Sequence, residues 1–179
     1  EPGYLTLADR TTDPRMTNGY NASDADSRDM QQYALTLDAA LGGGLDWASI
    51  AYLNRLRDDR HVKFSASASQ QRRLEAEDQY GVTSTLHWHG ELSGMVLMLE
   101  AGGEVQWQDV QSDRWLAVNR VPTSQTRSQR YDLTVSGAYV QAIIEPAEWL
   151  RITPAWRIDR VGGSFANLLA GSTAPVNDY

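Results

Sequence analysis

Between residues 31 and 160 the chain alternates apolar and polar positions with a period of two, which predicts β-strands that each have one apolar face. The split is sharpest in residues 94–108, where Leu97, Leu99 and Val105 alternate with charged and amide side chains. The pattern predicts six strands, over residues 31–41, 45–58, 79–90, 94–108, 130–144 and 149–160. We therefore expect an all-β fold.

The connections between these strands alternate in length. Short turns at 42–44, 91–94 and 145–148 join the strands in pairs. Polar segments without an apolar period lie between the pairs and are predicted as long loops, at 1–30, 61–78, 109–129 and 161–179. This arrangement predicts three hairpins in an antiparallel, up-and-down order.

The pattern leaves the orientation of two strands open. In residues 45–58 the outward set is either Ala48, Ile50 and Tyr52 or Trp47, Ala51 and Leu53. In residues 130–144 the apolar face begins with Tyr131, Leu133 and Val135, and we expect a β-bulge near Gly137 to switch it to the other parity.

Aromatic side chains favour a lipid-facing sheet over a soluble β-sandwich. Tyrosines begin three of the strands next to the long segments, and tryptophans lie close to the short turns, as expected at the two water–lipid boundaries. Loops that are short on one side and long on the other are also typical of outer-membrane barrels. The predicted membrane-interface residues are Tyr33, Trp47, Tyr80, Trp88, Trp107, Tyr131 and Trp149.

Six strands are too few to close a transmembrane barrel, which has about eight strands at least. An open edge in lipid would leave backbone N–H and C=O groups without partners. We therefore expect a transmembrane β-barrel segment that is part of a larger barrel. The charged residues predicted to face its lumen are Glu100, Glu104, Arg151 and Arg157.

Composition excludes several other classes. The net charge of −7 argues against nucleic-acid binding, and there is no cysteine for a disulfide or a thiolate metal site. The chain lacks the run of 18 apolar residues that a transmembrane helix needs. It also lacks a recognisable catalytic triad, carboxylate pair or phosphate-binding loop, so we predict no enzyme activity and no cofactor.

Two short motifs resemble metal sites but lack ligands. "HWH" places His87 and His89 on one strand face without an evident third ligand. "NASDADSRD" at 21–29 spaces three aspartates without the glycine and glutamate of a calcium loop. We interpret the first as a structural pair and the second as a solvated loop.

The segment "YVQAIIEPAEWLRITPAWRIDRVGG" at 139–163 resembles the barrel signature of TonB-dependent outer-membrane receptors. In that family a strand ending in Tyr-x-Gln, a short turn with Trp, and a strand of the pattern Leu-x-(Leu/Ile)-Thr-(Pro)-x-x-Arg-x-Asp recur together. The segments at 47–60 and 72–88 are similar to strand-and-loop regions of the ferric-siderophore receptors in the same family, and "APVNDY" at 174–179 resembles a stretch that precedes the next strand.

This resemblance implies a bacterial outer-membrane receptor of about 22 strands whose lumen holds a plug domain. Such receptors import scarce nutrients, mostly iron–siderophore complexes, with energy delivered through TonB; cobalamin, haem, copper and oligosaccharides are the alternative ligands within this class. The expected partners are the lipid bilayer, the plug, the rest of the barrel and TonB. The chain departs from the full pattern because it has no plug, no energy-coupling box near its start and too few strands. We therefore expect an internal piece of a barrel.

Arginine and aromatic groups suit anionic, planar iron chelates, and outer loops bind the ligand in that family. The residues predicted to do so are Arg72, Arg73, Trp115, Arg127 and Arg130. The alternative hypothesis is a soluble β-sandwich or lipocalin-like module that binds a small molecule or carbohydrate. It predicts a second sheet packed against Leu97, Leu99 and Val105.

Overall fold

The computed structural model describes residues 6–92 and 94–176. Within them, one antiparallel sheet has the spatial order β1-β2-β3-β4-β5-β7-β8, and the short strand β6 also pairs with β5. The strands are β1 (Ala25–Gly42), β2 (Leu45–Val62), β3 (Gln70–Leu92), β4 (Met95–Val118), β5 (Val121–Ala147), β6 (Leu150–Ile152), β7 (Ala155–Asn167) and β8 (Ser172–Val176). The predicted all-β, up-and-down fold is confirmed.

A short helical segment precedes the sheet. Helix α1 (Leu7–Thr12) begins with a capping box. The Thr6 hydroxyl accepts a hydrogen bond from the backbone N–H of Asp9, and the Asp9 carboxylate accepts one from the backbone N–H of Thr6. A 3₁₀ turn follows at Gly19–Asn21. Among the described residues, no helix is both long enough and apolar enough to cross a membrane.

The prediction of long loops at 61–78 and 109–129 is wrong, because most of both segments is strand. β2 continues to Val62, β3 begins at Gln70, and a two-residue turn at Asn119–Arg120 separates β4 from β5. Both turn residues have positive φ, at 49° and 69°, as hairpin turns of this length require. The sequence shows no apolar period here because charged side chains lie on both faces of the strands. The backbones nevertheless pair, with two register shifts between β4 and β5.

The predicted loops at the two ends are also partly strand. β1 begins at Ala25, and β7 and β8 occupy much of 161–179. The last predicted strand, 149–160, is interrupted, since Thr153 and Pro154 separate β6 from β7. Proline has no N–H to donate, and here only its carbonyl bonds the sheet, at 3.0 Å from the amide nitrogen of Ala142.

The strand register settles the two open orientations. Trp47, Ala51 and Leu53 lie opposite Leu86, Val82 and Tyr80 on β3. They therefore share the face of Tyr33 and Leu35, which pair with Leu53 and Ala51 from β1, and of Leu37 two positions further along β1. We call this the apolar face and the opposite one the polar face.

The predicted bulge near Gly137 does not occur. The register between β4 and β5 runs without a shift from Val96 to Arg114. Thr134, Ala138 and Val140 consequently lie on the apolar face. Tyr131 lies on the polar face, opposite Phe165, and so does not join the other predicted membrane-interface residues.

The sheet forms a single layer with almost no core. The accessible surface is 12013 Å², whereas a compact monomer of 19.9 kDa would expose about 8,700 Å². Ala117 is the one buried hydrophobic residue among those described. Because no second sheet is present in the described chain, Leu97, Leu99 and Val105 have no opposing sheet. The two faces must therefore be covered by something other than this chain.

Candidate functional site

The apolar face carries aromatic side chains at both margins of a band nine to eleven residues long. One margin is a register row of Tyr33, Leu53, Tyr80 and Trp107 across β1–β4. Towards the other margin lie Trp47, Trp88 and Trp156. Leu35 within the band is 74% exposed. Trp149 lies in the turn before β6 and is 83% exposed.

On the polar face, side chains of alternate strands meet across glycines. Tyr52 on β2 donates a 2.9 Å hydrogen bond to Gln106 on β4, passing over Gly81 on β3. A Cβ atom on Gly81 would lie 2.7 Å from the Tyr52 hydroxyl and 2.8 Å from the carbonyl oxygen of Val105. The absence of a side chain at Gly81 therefore permits this contact.

Gly102 has the same role one strand further along. It pairs with Thr85 on β3 and with Tyr139 on β5, and a Cβ there would lie 2.6 Å from the Tyr139 ring. The Tyr139 hydroxyl lies 3.3 Å from the Thr85 hydroxyl and donates a 2.7 Å hydrogen bond to Glu100. The polar face thus holds a hydrogen-bonded network that crosses strands.

The residues predicted to face the lumen all take part in such polar pairs. Arg157 on β7 contacts Glu104 on β4 and forms an ion pair of 2.7 Å with Asp159. Arg151 on β6 pairs with Glu145 at 2.8 Å. By register, Glu100, Glu104 and Arg157 share the polar face.

The two histidines of "HWH" bind carboxylates on neighbouring strands. His87 Nδ1 lies 3.2 Å from Glu100, and His89 Nδ1 lies 3.8 Å from Asp46. Residues 6–92 and 94–176 contain no group of three or more His, Asp or Glu side chains that could hold a metal ion.

We define the distal end of the sheet as the end with the Asn119–Arg120 turn. The aspartate-rich segment at 21–29 begins before β1, and Ser23 in it is hydrogen-bonded to this end. The buried Gln70 side chain donates to the carbonyl and hydroxyl oxygens of Ser23 at 3.1 and 2.9 Å. It also accepts a 2.9 Å bond from the amide of Arg120, whose guanidinium donates to the same Ser23 carbonyl. We call Ser23, Gln70 and Arg120 the clasp.

Arg72 and Arg130, two of the predicted ligand-binding residues, lie on the extension of the apolar face towards the distal end. Arg72 forms a 2.7 Å ion pair with Asp59 and stands 5.8 Å from the Trp115 ring centroid. Hydrogen bonding to Arg72 lowers the pKa of the Asp59 carboxyl below its usual value. Arg130 lies 3.9 Å from Asp109. These arginines are therefore already neutralised within the sheet.

Arg73 and Arg127, the other two predicted arginines, lie on the polar face in a line of four. Arg60, Arg73, Arg114 and Arg127 are successive direct partners across β2, β3, β4 and β5. We call them the arginine row. Within the described chain none of the four forms an ion pair with a carboxylate.

The electrostatics of the arginine row reflect this crowding. Burial lowers the pKa of the Arg73 guanidinium, and repulsion from Arg114, Arg60 and Arg127 lowers it further. The pKa of Arg114 is lowered by burial and then by Arg127 and Arg60. Arginine stays protonated in proteins, so the row is a concentration of fixed positive charge. Arg73 also lies 4.8 Å below the Phe64 ring centroid.

Sequence reasoning identified half of this row. It missed Arg60 because the predicted strand ended at residue 58, and it missed Arg114 because that residue lay in the predicted loop at 109–129. Arg60 and Arg73 pair in an unbroken register between β2 and β3, so extending that hairpin through the charged segment would have aligned them. Arg127 lies opposite Arg114 only because of two register shifts between β4 and β5, for which the sequence offers no signal.

Comparison with known proteins places the chain in a family. A family model described as TonB dependent receptor-like, beta-barrel matches residues 2–179. The chain is similar to the crystal structure of the ferric citrate transporter FecA in its unliganded form, with a TM-score of 0.83 and 14% sequence identity. That match covers 99% of this chain but 27% of the transporter, and at such identity it shows the fold alone. No curated protein sequence matches the chain. Because the family model covers almost the entire sequence, the chain belongs to the TonB-dependent receptor β-barrel family.

Proposed function

We propose that this chain is part of a bacterial outer-membrane receptor that imports ferric siderophores with energy delivered through TonB. The observation that carries the proposal is the two-faced, single-layer sheet. Its apolar face is exposed, including Leu35 at 74% and Leu99 at 40%, whereas its polar face is internally hydrogen-bonded. A bilayer outside and a polar lumen inside account for both faces.

The dimensions of the apolar band support this assignment. The band runs from Tyr80 to Trp88 on β3 and from Leu97 to Trp107 on β4. Spans of nine to eleven residues match a tilted transmembrane strand. The strands extend well beyond the band at the distal end, as outer-membrane strands extend towards the cell exterior.

The inner side is assigned from the contacts across glycines. Tyr52 and Gln106 meet over Gly81, and Thr85 and Tyr139 meet over Gly102. Alternate strands are about 9.6 Å apart in a flat sheet. Contacts between them are favoured on the concave side of a curved sheet, where side chains converge. On this basis the polar face lines the lumen, and the plug and the remaining strands of the receptor complete it.

Transport and membrane location are tested together in cells that produce the intact receptor as their sole siderophore receptor. We expect the receptor in the outer-membrane fraction and uptake of radiolabelled ferric siderophore that stops when TonB is deleted. A receptor that reaches the outer membrane but imports no ferric siderophore would contradict the proposed function. Recovery of the receptor in the soluble fraction would contradict the membrane assignment and favour the soluble module instead.

A further inference from the structure

A cleft of about 290 Å³ opens on the apolar-face side of the sheet, at the margin of the band nearer the distal end. Trp107 belongs to the aromatic row that ends the band, whereas Asp109 and Asp132 lie one row further towards the distal end. Because Trp and Tyr rings lie at the headgroup level of a bilayer, the cleft lies at that level too. We call it the boundary cleft, and its side chains on this face are Tyr80, Trp107, Asp109, Asp132, Thr134 and Ser164.

The boundary cleft carries negative charge that the described chain does not balance. Asp109 and Asp132 are directly opposed on β4 and β5, an arrangement in which like charges destabilise a sheet. Arg130 lies 3.9 Å from Asp109 and offsets one of the two carboxylates. Asp132 accepts a 3.5 Å hydrogen bond from the Ser164 hydroxyl, but within residues 6–92 and 94–176 it forms no ion pair. One carboxylate is therefore left for a cation from outside the chain.

The next carboxylate along the same row shows that this deficit is local. Asp78 on β3 lies directly opposite Asp109. It forms ion pairs with Arg57 at 2.7 Å and with Arg55 at 3.0 Å. The β2 and β3 end of the row is thus neutralised within the sheet, and the unbalanced charge is confined to the boundary cleft between β4 and β5.

The aromatic side of the boundary cleft favours an organic cation. Tyr80 is 49% exposed and Trp107 is 37% exposed, so both rings are accessible. Aromatic ring faces attract organic ammonium groups, and the indole of Trp does so most strongly. A metal ion instead needs several oxygen ligands, and the described part of the chain holds no group of three or more His, Asp or Glu side chains arranged for one. A carboxylate beside an accessible indole therefore indicates an ammonium.

We propose that the boundary cleft binds the primary ammonium of a lipid headgroup of the phosphoethanolamine type. The inference goes beyond the proposed function and rests on it for the bilayer around the apolar face. A primary ammonium has three N–H donors, enough for Asp132 and Asp109 together, and its methylene groups can pack on Trp107. The cleft adjoins the band that lipid covers, so acyl chains attached to such a headgroup continue along that band. This continuity favours a lipid over a soluble amine.

Native mass spectrometry of the purified intact receptor in detergent tests the proposal. The receptor is titrated separately with dioleoyl phosphatidylethanolamine and with dioleoyl phosphatidylglycerol, whose headgroup has no ammonium. We expect the wild type to bind the first phosphatidylethanolamine with a Kd about tenfold lower. Asp132→Asn should reduce this preference about fivefold, because it removes a partly exposed ion pair. Trp107→Ala should reduce it about threefold, because it removes a cation–π contact.

Asp29→Asn is the matched control, since Asp29 is an aspartate on the same side of the sheet but on β1, away from the boundary cleft. It should leave the lipid preference unchanged. Circular dichroism and electrophoretic mobility of the unheated receptor establish that each variant is folded. Soluble phosphoethanolamine, which has no acyl chains, distinguishes the two sources of the ammonium. If it binds as tightly as phosphatidylethanolamine, the cleft is a site for soluble amines and the proposal of a lipid is wrong.

The outcomes separate this inference from the proposed function. Equal Kd values for the two lipids in the wild type overturn the inference, and so does a full preference in either folded variant. Both results leave the membrane location and the uptake of ferric siderophore intact. If Trp107→Ala does not fold, Asp132→Asn decides alone, since it changes one exposed side chain without altering its size. Recovery of the receptor in the soluble fraction of cells contradicts the proposed function instead, whatever lipid the purified receptor binds.

Discussion

Tyr80 on β3 and Trp107 on β4 lie directly opposite each other, and their rings stack with centroids 5.4 Å apart and planes inclined by 22°. Offset stacking contributes about 0.5–1.5 kcal/mol beyond area burial. In a double-mutant cycle on the intact receptor, Tyr80→Ala and Trp107→Ala should therefore show a coupling of about this size. Free energies of unfolding in detergent, from urea titration, provide the measurement.

A control cycle between Trp107 and Tyr33 uses the same row but residues three strands apart. Its two substitutions should be additive within about 0.5 kcal/mol. Equal coupling in both cycles would show that the Tyr80–Trp107 contact is not specific.

Gly102→Ala should destabilise the sheet by about 1–3 kcal/mol, as overpacking does. The new Cβ would lie 2.6 Å from the Tyr139 ring, so the ring must move away from Glu100, to which its hydroxyl donates. In a Tyr139→Ser background the same substitution should cost much less. Equal costs in the two backgrounds, measured by urea titration, would contradict the glycine contact.

The Asp59–Arg72 ion pair predicts a pH dependence of stability. Because Arg72 lowers the pKa of Asp59 below 3.8 in the folded state, the pair stabilises the protein above about pH 4. This stabilisation is lost as the pH falls through the folded pKa. Both side chains are about one-third exposed, at 31% and 36%, so solvent screening limits the effect to less than about 1 kcal/mol.

Unfolding of wild type and Arg72→Gln should therefore differ at pH 7 and converge as the pH falls below about 4. Arg10→Gln is the control, because Arg10 forms no ion pair among the described residues. A difference between wild type and Arg72→Gln that is independent of pH would exclude the Asp59 carboxylate as its source.

Gln70→Ala should release the clasp. Its side chain links Ser23 to the amide of Arg120, so both backbone segments should exchange amide hydrogens faster in the variant. The neighbouring Gln71→Ala removes a side chain that, within residues 6–92 and 94–176, bonds only Arg73, and it should leave exchange at Ser23 and Arg120 unchanged. Unaltered exchange in Gln70→Ala would mean that other contacts hold the segment.

The apolar period was sufficient to predict the fold class and the strands at their centres, because half of each strand there is apolar. It failed at the distal end, where charged residues follow one another directly, as in Arg57-Asp58-Asp59-Arg60, and leave no period of two. Cross-strand ion pairs such as Arg57–Asp78, at 2.7 Å, stabilise paired backbone there without hydrophobic burial. The amino-acid composition of these distal segments resembles that of a solvated loop, so composition alone does not identify them as strands.

The candidate site was harder to predict than the fold, since the face of a residue depends on register. Arg72 and Arg73 are adjacent in sequence and were grouped together, but their side chains point to opposite faces of β3. Tyr131 was misassigned for a related reason: the expected bulge at Gly137 does not occur, so Tyr131 keeps the parity of Tyr139 and lies on the polar face.

The central claim is that lipid covers the apolar face, and a nitroxide scan of β4 tests it most directly. The chain contains no cysteine, so single cysteines from Leu97 to Gln106 can carry spin labels in the intact receptor, once any cysteines elsewhere in it are replaced. In vesicles, odd-numbered positions should collide preferentially with dissolved oxygen, and even-numbered positions should not, giving a period of two. Spin labels at positions 97, 99 and 105 that collide instead with a water-soluble nickel reagent would contradict the account. Labels there that collide with neither reagent would also contradict it.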